Sequence, residues 1–480
     1  MNVQLLIDGA DVKSRSKATF ERKDPVTGKV TTVAEAGSVA DVNAACDAAA
    51  AAFPKWSETG PTERRMLLLK AADLLQAKSD EFIRLMIEET GATGPWSGFN
   101  VMFAAKILRE AASMTTMIHG EVIPSDKPGC LSMGIRQAAG VCVGMAPWNA
   151  PVILGVRAVA MPLACGNTVV LKASETCPGV HMLIGKVLQE AGLPKGVINV
   201  ITHSREDAPA VTEALIAHPA VRRINFTGSS HVGRIIAMTA AKYLKPVLLE
   251  LGGKAPLLVL DDANIDDAVN GAAFGAFMHQ GQICMSTERI VVDNKIADAF
   301  VAKLAAKANA LPYGDPRGKV VLGSLVSMQA ADKVDSLLKD ALDKGAKLVA
   351  GGKRDGTIWS ATLLDHVNPQ MKIYREESFG PVKSIIRVDG DDEAVSVAND
   401  TEYGLSSAVF SENIQRAMAV AKRIQAGICH INGPTVNDEP QMPFGGTKDS
   451  GYGRFGGVAA IAEFTELRWI TIESHQHYPF

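Results

Sequence analysis

Val141-Cys142-Val143-Gly144-Met145-Ala146-Pro147-Trp148-Asn149-Ala150-Pro151 reads as a short apolar strand, a turn and the start of a helix. The apolar run is too short for a helix, and the proline after the turn suits a first helical position. The same alternation continues outward: a strand at Thr168–Lys172, a helix after Pro178, a strand over 197–201, a helix after Ser204, a strand at Val221–Thr227, a helix to Tyr243 and a strand over 247–251. Strand, helix and strand at this spacing specify a parallel sheet with crossover helices. The alternation restarts over 256–260 and runs on through helices near 265–278, 297–308 and 327–344. Two α/β domains are therefore expected, with a seam at Gly252-Gly253. Toward the N-terminus the first third reads as helical after an opening turn. Ser38-Val39-Ala40-Asp41 resembles a capping box ahead of an alanine-rich stretch to Trp56, Pro61 and Ser79-Asp80 begin two further helices, and a fourth runs over about 95–119. Leu131 to Gln137 reads as a strand, and the segment from Ser474 to Phe480 as a loose tail.

A chain of 480 residues is long enough for two to four domains. Its 49 basic and 52 acidic side chains leave a net charge of −3, which excludes a basic nucleic-acid footprint. The hydrophobic share is 47%, yet the longest apolar run, over 150–164, is broken by Arg157, so no membrane span is expected. The N-terminus lacks a basic, apolar and small-residue export pattern, and cytoplasm is the expected location. Seven cysteines with no C-x-x-C pair argue against a disulfide framework, and the ten histidines form no metal-ligand spacing, so no metal is expected.

The literal G-x-G-x-x-G is Gly451-Tyr452-Gly453-Arg454-Phe455-Gly456, but a loop-like stretch precedes it where a dinucleotide fingerprint needs a strand, so the motif reads as a loop. Phe226-Thr227-Gly228-Ser229 is better placed: it ends a strand and opens a helix, whose free N–H groups suit either a pyrophosphate or a plain turn. Cys284 lies in the turn Gly281-Gln282-Ile283-Cys284-Met285-Ser286-Thr287, as a small buried hydrophobe or as a nucleophile. Glu250 ends an apolar strand at the edge where such sheets place ligands, as a partner for Lys254 or as a general base of raised pKa. Asn149 follows the strand over 141–146, as a helix N-cap or as an amide donor to a developing oxyanion.

Taken in order, Pro147-Trp148-Asn149, Lys172-Ala173-Ser174-Glu175, Phe226-Thr227-Gly228-Ser229, Glu250-Leu251-Gly252-Gly253-Lys254, Gly281-Gln282-Ile283-Cys284, Glu376-Glu377-Ser378-Phe379-Gly380-Pro381 and Pro443-Phe444-Gly445-Gly446 resemble the NAD(P)-dependent aldehyde dehydrogenase superfamily over nearly the whole chain. Within it, the likeness narrows to the branch acting on salicylaldehyde in naphthalene catabolism. The resemblance implies two Rossmann-type parallel-sheet domains and a small β oligomerisation flap: 1–120 with 138–252 binding NAD, 253–455 carrying catalysis, and 121–137 with 460–475 forming the flap. A homodimer or homotetramer is implied, since unpaired edge strands invite another subunit.

It further implies that Cys284 attacks the aldehyde as a thiolate, with Asn149 and the Cys284 N–H stabilising the oxyanion. Hydride then passes to the nicotinamide, a thioester remains, and Glu250 activates water to hydrolyse it. Trp148, Gly228 and Ser229 would meet the cofactor, with Ser229 at the pyrophosphate. Lys172 and Glu175 would address the adenosine ribose, Glu377 the nicotinamide ribose, and Phe379 would pack beside the nicotinamide ring. Glu175 favours NAD, because a carboxylate accepts a 2′-hydroxyl and repels a 2′-phosphate. Ala150, Leu154 and Arg157 share one helix face and would line the substrate tunnel with Trp96, Met278, Ile283, Met285 and Phe444. Arg157 departs from the family's usual aromatic residue. It suits a phenolic oxygen ortho to the aldehyde, as in the oxidation of salicylaldehyde to salicylate, the carboxylate of a semialdehyde, or a core carboxylate of the protein itself. Outside redox chemistry, a Cys-dependent acyl transferase using Cys284 and Glu250, or a non-catalytic protein of the same fold, are the rival readings.

Overall fold

The computed structural model describes residues 1–473 and 478–480; most of the expected tail and the end of the expected flap, 474–477, lie outside the described residues. The runs that decide the fold are strands where the sequence places them, at Val141–Met145, Thr168–Lys172, Ile198–Ile201, Val221–Thr227 and Val247–Glu250. They form the parallel centre of an eight-stranded sheet, in the spatial order Val247–Glu250, Val221–Thr227, Val141–Met145, Thr168–Lys172, Ile198–Ile201. Chain order reverses between Val141–Met145 and Val221–Thr227, which makes that gap the topological switch point. All five residues of Val141–Met145 are buried, as a strand covered by helices on both faces requires. The helix Pro151–Ala164 is buried along its whole length. It lies so close to the sheet that a Cβ on Gly144 would stand 2.9 Å from Ala158.

A second, seven-stranded sheet follows Gly252-Gly253, with Ala255–Val259, Thr287–Asp293, Val382–Val388 and Ser406–Phe410 at its parallel centre. A three-stranded antiparallel sheet joins Glu121–Ile123, Leu131–Ala138 and Thr465–Ile472, with the last two in register from Thr465 opposite Ala138 to Ile472 opposite Leu131. No helix among the described residues is long and apolar enough to cross a membrane.

Three local expectations are corrected. The chain opens not with a turn before helices but with the short strands Asn2–Val3, Leu5–Ile7, Ala10–Val12, Thr19–Lys23 and Val30–Glu35. Leu5–Ile7 pairs locally with Ala10–Val12 and remotely, Leu6 opposite Val200, and such short pieces carry no readable period. The fourth helix ends earlier, spanning Gly94–Met114. Gly451-Tyr452 is not loop but a short strand on the edge of the first sheet, with Gly451 opposite Glu250. The capping signal at Ser38 does operate: Asp41 Oδ2 accepts the Ser38 N–H at 2.8 Å at the head of the helix Val39–Ser57.

Candidate active site

The turns after Val141–Met145 and Val221–Thr227 flank the switch point, and together they line a cavity of about 310 Å³. Trp148, Asn149, Gly228 and Ser229 come from these two turns, Cys284 from the second sheet's side, and Glu377 and Phe379 from the loop after the short helix Lys372–Arg375. Phe379 meets Trp148 edge to face, with centroids 5.7 Å apart. Ser229 caps the helix Ser230–Lys242, its Oγ accepting the Val232 N–H at 3.4 Å. The N–H groups of Ser230 and His231 have no acceptor among the described residues, so a helix terminus with spare donors faces this cavity, as an anion requires. Glu377 is the cavity's acid: its Oε1 accepts the Gly253 N–H at 2.9 Å, and burial pushes its pKa up to about 7 against that bond. A flat aromatic wall, anion-ready N–H groups and a buried diol-sized acceptor fit a dinucleotide. Lys172 and Glu175 lie outside this lining, at and beyond the carboxyl end of the neighbouring strand Thr168–Lys172. Burial lowers Lys172 to about 8, opposed by the charge of Glu175.

A second cavity, of about 550 Å³, meets the first at Asn149, Leu154 and Cys284. Every side chain expected in the substrate tunnel lines it: Trp96, Ala150, Leu154, Arg157, Met278, Ile283, Met285 and Phe444. Phe99 and Phe103 extend the aromatic wall from Trp96 with successive ring centroids 5.6 Å apart; their spacing of three and four residues on one helix was the available signal, and it was missed. Missed as well were Phe274, from the helix Ile265–Phe277, and Asp438, from a loop with no local signature.

Arg157 is where the expectation changes most. Its Nη2 donates to Asp438, and its guanidinium lies 4.5 Å from the Phe444 ring centroid. The core-carboxylate reading therefore holds for its charge, because an arginine this buried needs a partner, while its side chain still lines the cavity. Lys254 is corrected too: it pairs with Glu288 at 2.7 Å, not with Glu250.

Glu250 is 2% exposed, its carboxylate oxygens make no hydrogen bond among the described residues, and burial raises its pKa to about 8, opposed by the charge of Arg157 and reinforced by that of Asp438. The same neighbours act on Cys284: burial drives the thiol well above its ordinary range, the charges of Glu250 and Glu377 push further, and Arg157 pulls back. Burial thus favours the neutral thiol, and Glu250, which lines neither cavity, acts on it through its charge. Asn149 is not a helix cap; its Nδ2 donates to the Gln282 carbonyl at 3.0 Å, which brings the amide to the cysteine turn. The second N–H of that amide and the backbone N–H of Cys284 make no hydrogen bond among the described residues, so two donors remain beside the sulfur. Gly253 permits the convergence, since a Cβ there would stand 2.4 Å from the Cys284 carbonyl oxygen. Sequence reading also overlooked His279, a residue at φ 50° whose ring stacks on Trp96 at 5.0 Å while Trp96 Nε1 donates to the Asn149 carbonyl.

Comparison with known proteins agrees with this geometry. Residues 12–470 match the model of the aldehyde dehydrogenase family. The chain is 59% identical over 481 residues to a vanillin dehydrogenase of Pseudomonas fluorescens, covering 100% of both. It superposes with a TM-score of 0.98, at 52% identity and 100% coverage of both chains, on a salicylaldehyde dehydrogenase from Pseudomonas putida solved with salicylaldehyde. It matches an NAD-dependent aldehyde dehydrogenase from Sinorhizobium meliloti with a TM-score of 0.97 at 34% identity, covering 100% of this chain and 96% of that one.

Proposed function

The chain belongs to the aldehyde dehydrogenase family, a family of nicotinamide-dependent enzymes, and from that premise we propose that it oxidises an aromatic aldehyde, salicylaldehyde or a close hydroxylated relative, to its carboxylate with NAD. The observation that carries the reading is the position of Cys284 where a cavity fit for a dinucleotide meets one walled by aromatic rings. The Cys284 sulfur adds to the aldehyde carbon as its proton passes to Glu250, and the second N–H of Asn149 with the N–H of Cys284 takes the charge that develops on oxygen. The nicotinamide, when bound, supplies the acceptor for the hydride this adduct gives up, which leaves a thioester on Cys284. Once Glu250 has released the thiol proton to solvent it draws a proton from the attacking water, the carbon–sulfur bond breaks with that proton returning to the Cys284 sulfur, and the carboxylate leaves. A base poised near pH 8 suits both tasks.

Glu377 and Phe379 would hold the ribose and ring at the nicotinamide end, and Ser229 with the helix start behind it the pyrophosphate. Glu175 favours NAD over NADP for the electrostatic reason already given, with Lys172 leaving some tolerance for a phosphate. The proposed division is a cofactor-binding part, 1–120 and 138–252, a catalytic part, 253–455, whose strand Gly451–Tyr452 returns to the first sheet, and a flap, 121–137 with 460–475. Support for a homodimer or homotetramer comes from the flap's apolar surface, where Val122 is 72% and Trp469 76% exposed. Seven unpaired cysteines suit the cytoplasm.

The test is a panel of salicylaldehyde, vanillin, benzaldehyde and succinic semialdehyde, with NAD and with NADP, for the wild type and Cys284→Ala. NADH absorbance should rise with the aromatic aldehydes and vanish in the variant while NAD still binds. No absorbance with any aldehyde, alongside hydrolysis of an activated ester, would favour the acyl-transfer chemistry instead.

A further inference from the structure

Among the residues lining the aromatic cavity, Arg157 is the one arginine or lysine and Asp438 the one acid. They come from distant parts of the chain, the helix Pro151–Ala164 and the loop after the strand Ile428–Ile431. Their side chains are 7% and 13% exposed and hydrogen-bonded to each other. The rings of Phe444 and Phe455 lie 4.5 and 6.0 Å from the guanidinium carbon, so the pair sits in apolar surroundings that strongly oppose a lone charge of either sign. The second carboxylate oxygen of Asp438 is buried and makes no hydrogen bond among the described residues, and Arg157 is the cation that favours its charge.

We propose that Asp438 sets the substrate class of this cavity by claiming the charge of Arg157, admitting uncharged aromatic aldehydes and turning away aldehydes that carry a carboxylate. The inference rests on the reading of this cavity as the aldehyde site. An anionic substrate group would have to take Arg157 from Asp438, stranding a buried acid beside a second one, Glu250. A phenolic hydroxyl asks for no such exchange, because only Nη2 of the guanidinium is engaged and its remaining N–H groups stay available as donors. Removing the charge at 438 therefore turns a neutral cavity into an anion acceptor.

The experiment compares kcat/KM for benzaldehyde and meta-carboxybenzaldehyde in the wild type, Asp438→Asn and the double variant Arg157→Gln with Asp438→Asn. Both substrates pass through the same Cys284 and Glu250, so their ratio cancels any change that the lost charge works on the catalytic pair. The carboxylated substrate should gain about tenfold or more relative to benzaldehyde in Asp438→Asn, the worth of one charge-assisted hydrogen bond, and lose that gain in the double variant. An unchanged ratio in soluble Asp438→Asn overturns the proposal. A second measurement needs no variant to fold: isophthalate should inhibit the wild type no more tightly than benzyl alcohol, and tighter inhibition overturns the proposal. A wild type that oxidises no aromatic aldehyde would bring down the substrate reading beneath it, which is a different result from an unchanged ratio.

Discussion

Glu250→Gln keeps the shape of a buried side chain and removes only its ability to ionise, so it separates two consequences of burying that carboxylate. Its pKa rises from an ordinary 4.5 to about 8 because the side chain is buried, its oxygens making no hydrogen bond among the described residues. At about 1.4 kcal/mol per tenfold change in affinity for the proton, the folded state disfavours the ionised side chain by at most about 5 kcal/mol relative to the unfolded chain. The folded pKa is the higher one, so between roughly pH 4.5 and 8 the folded chain retains a proton that the unfolded chain has lost. Glu250 therefore subtracts stability progressively as pH rises through that window, and the loss levels off above it. Turnover runs the other way, because the ionised form is the base; at pH 7 only about one molecule in ten carries it. Thermal midpoints and initial rates of both proteins from about pH 5 to about pH 9 test the two together. The variant should gain stability over the wild type up to about pH 8, lose the ascending limb of the rate profile, and fall in kcat by about 10²–10⁴. A stability difference that stays flat with pH would refute the burial argument; a kcat within about tenfold of wild type, limb intact, would refute the base.

Asn149→Ala removes the amide donor near Cys284 and should lower kcat about 10²–10³-fold with little change in the KM for NAD, measured by steady-state kinetics; an effect confined to KM would place the amide elsewhere in the reaction. Glu288 accepts from Lys254 at 2.7 Å, Lys383 at 2.6 Å and the Ser378 N–H at 2.9 Å; burial opposes its charge, yet the two lysines hold its carboxyl well below the usual range. Glu288→Gln strands two buried lysines and should cost about 3–5 kcal/mol by chemical denaturation, with a raised KM for NAD as the adjoining Glu377–Phe379 loop loosens. Glu175→Gln should raise the ratio of kcat/KM for NADP over NAD, since it removes the charge that repels a 2′-phosphate, and an unmoved ratio would place that residue away from the adenosine ribose.

The parallel strands of the first sheet were legible because they are short, largely apolar runs between helical patterns and turn residues, a signal carried by neighbours in the chain, whereas of the second sheet only the strand over 256–260 was read, the others, such as Thr287–Asp293, mixing charged with apolar residues. The strands up to Glu35 were not, since each is a few residues long and one of them, Leu5–Ile7, joins the first sheet only through a partner nearly two hundred positions away. Asn149, Glu250 and Cys284 could be singled out by residue type at strand ends and turns. That the turn of Cys284 meets Asn149, through the Gln282 carbonyl, and packs on Gly253, three residues beyond Glu250, follows from tertiary structure, in which the strands leading to Asn149 and Glu250 lie two places apart in one sheet.

By itself, the order of residues determined the fold class and singled out Cys284, Glu250 and Asn149 as candidates, because apolar period, turn chemistry and side-chain type are local properties. Which charges neutralise one another was decided only by folding: Lys254 is taken by Glu288 and Arg157 by Asp438, and Glu250 forms no ion pair among the described residues. Charge pairing depends on distance and dielectric in three dimensions, and a buried ion takes whichever opposite charge the packed chain brings to it, however remote in sequence.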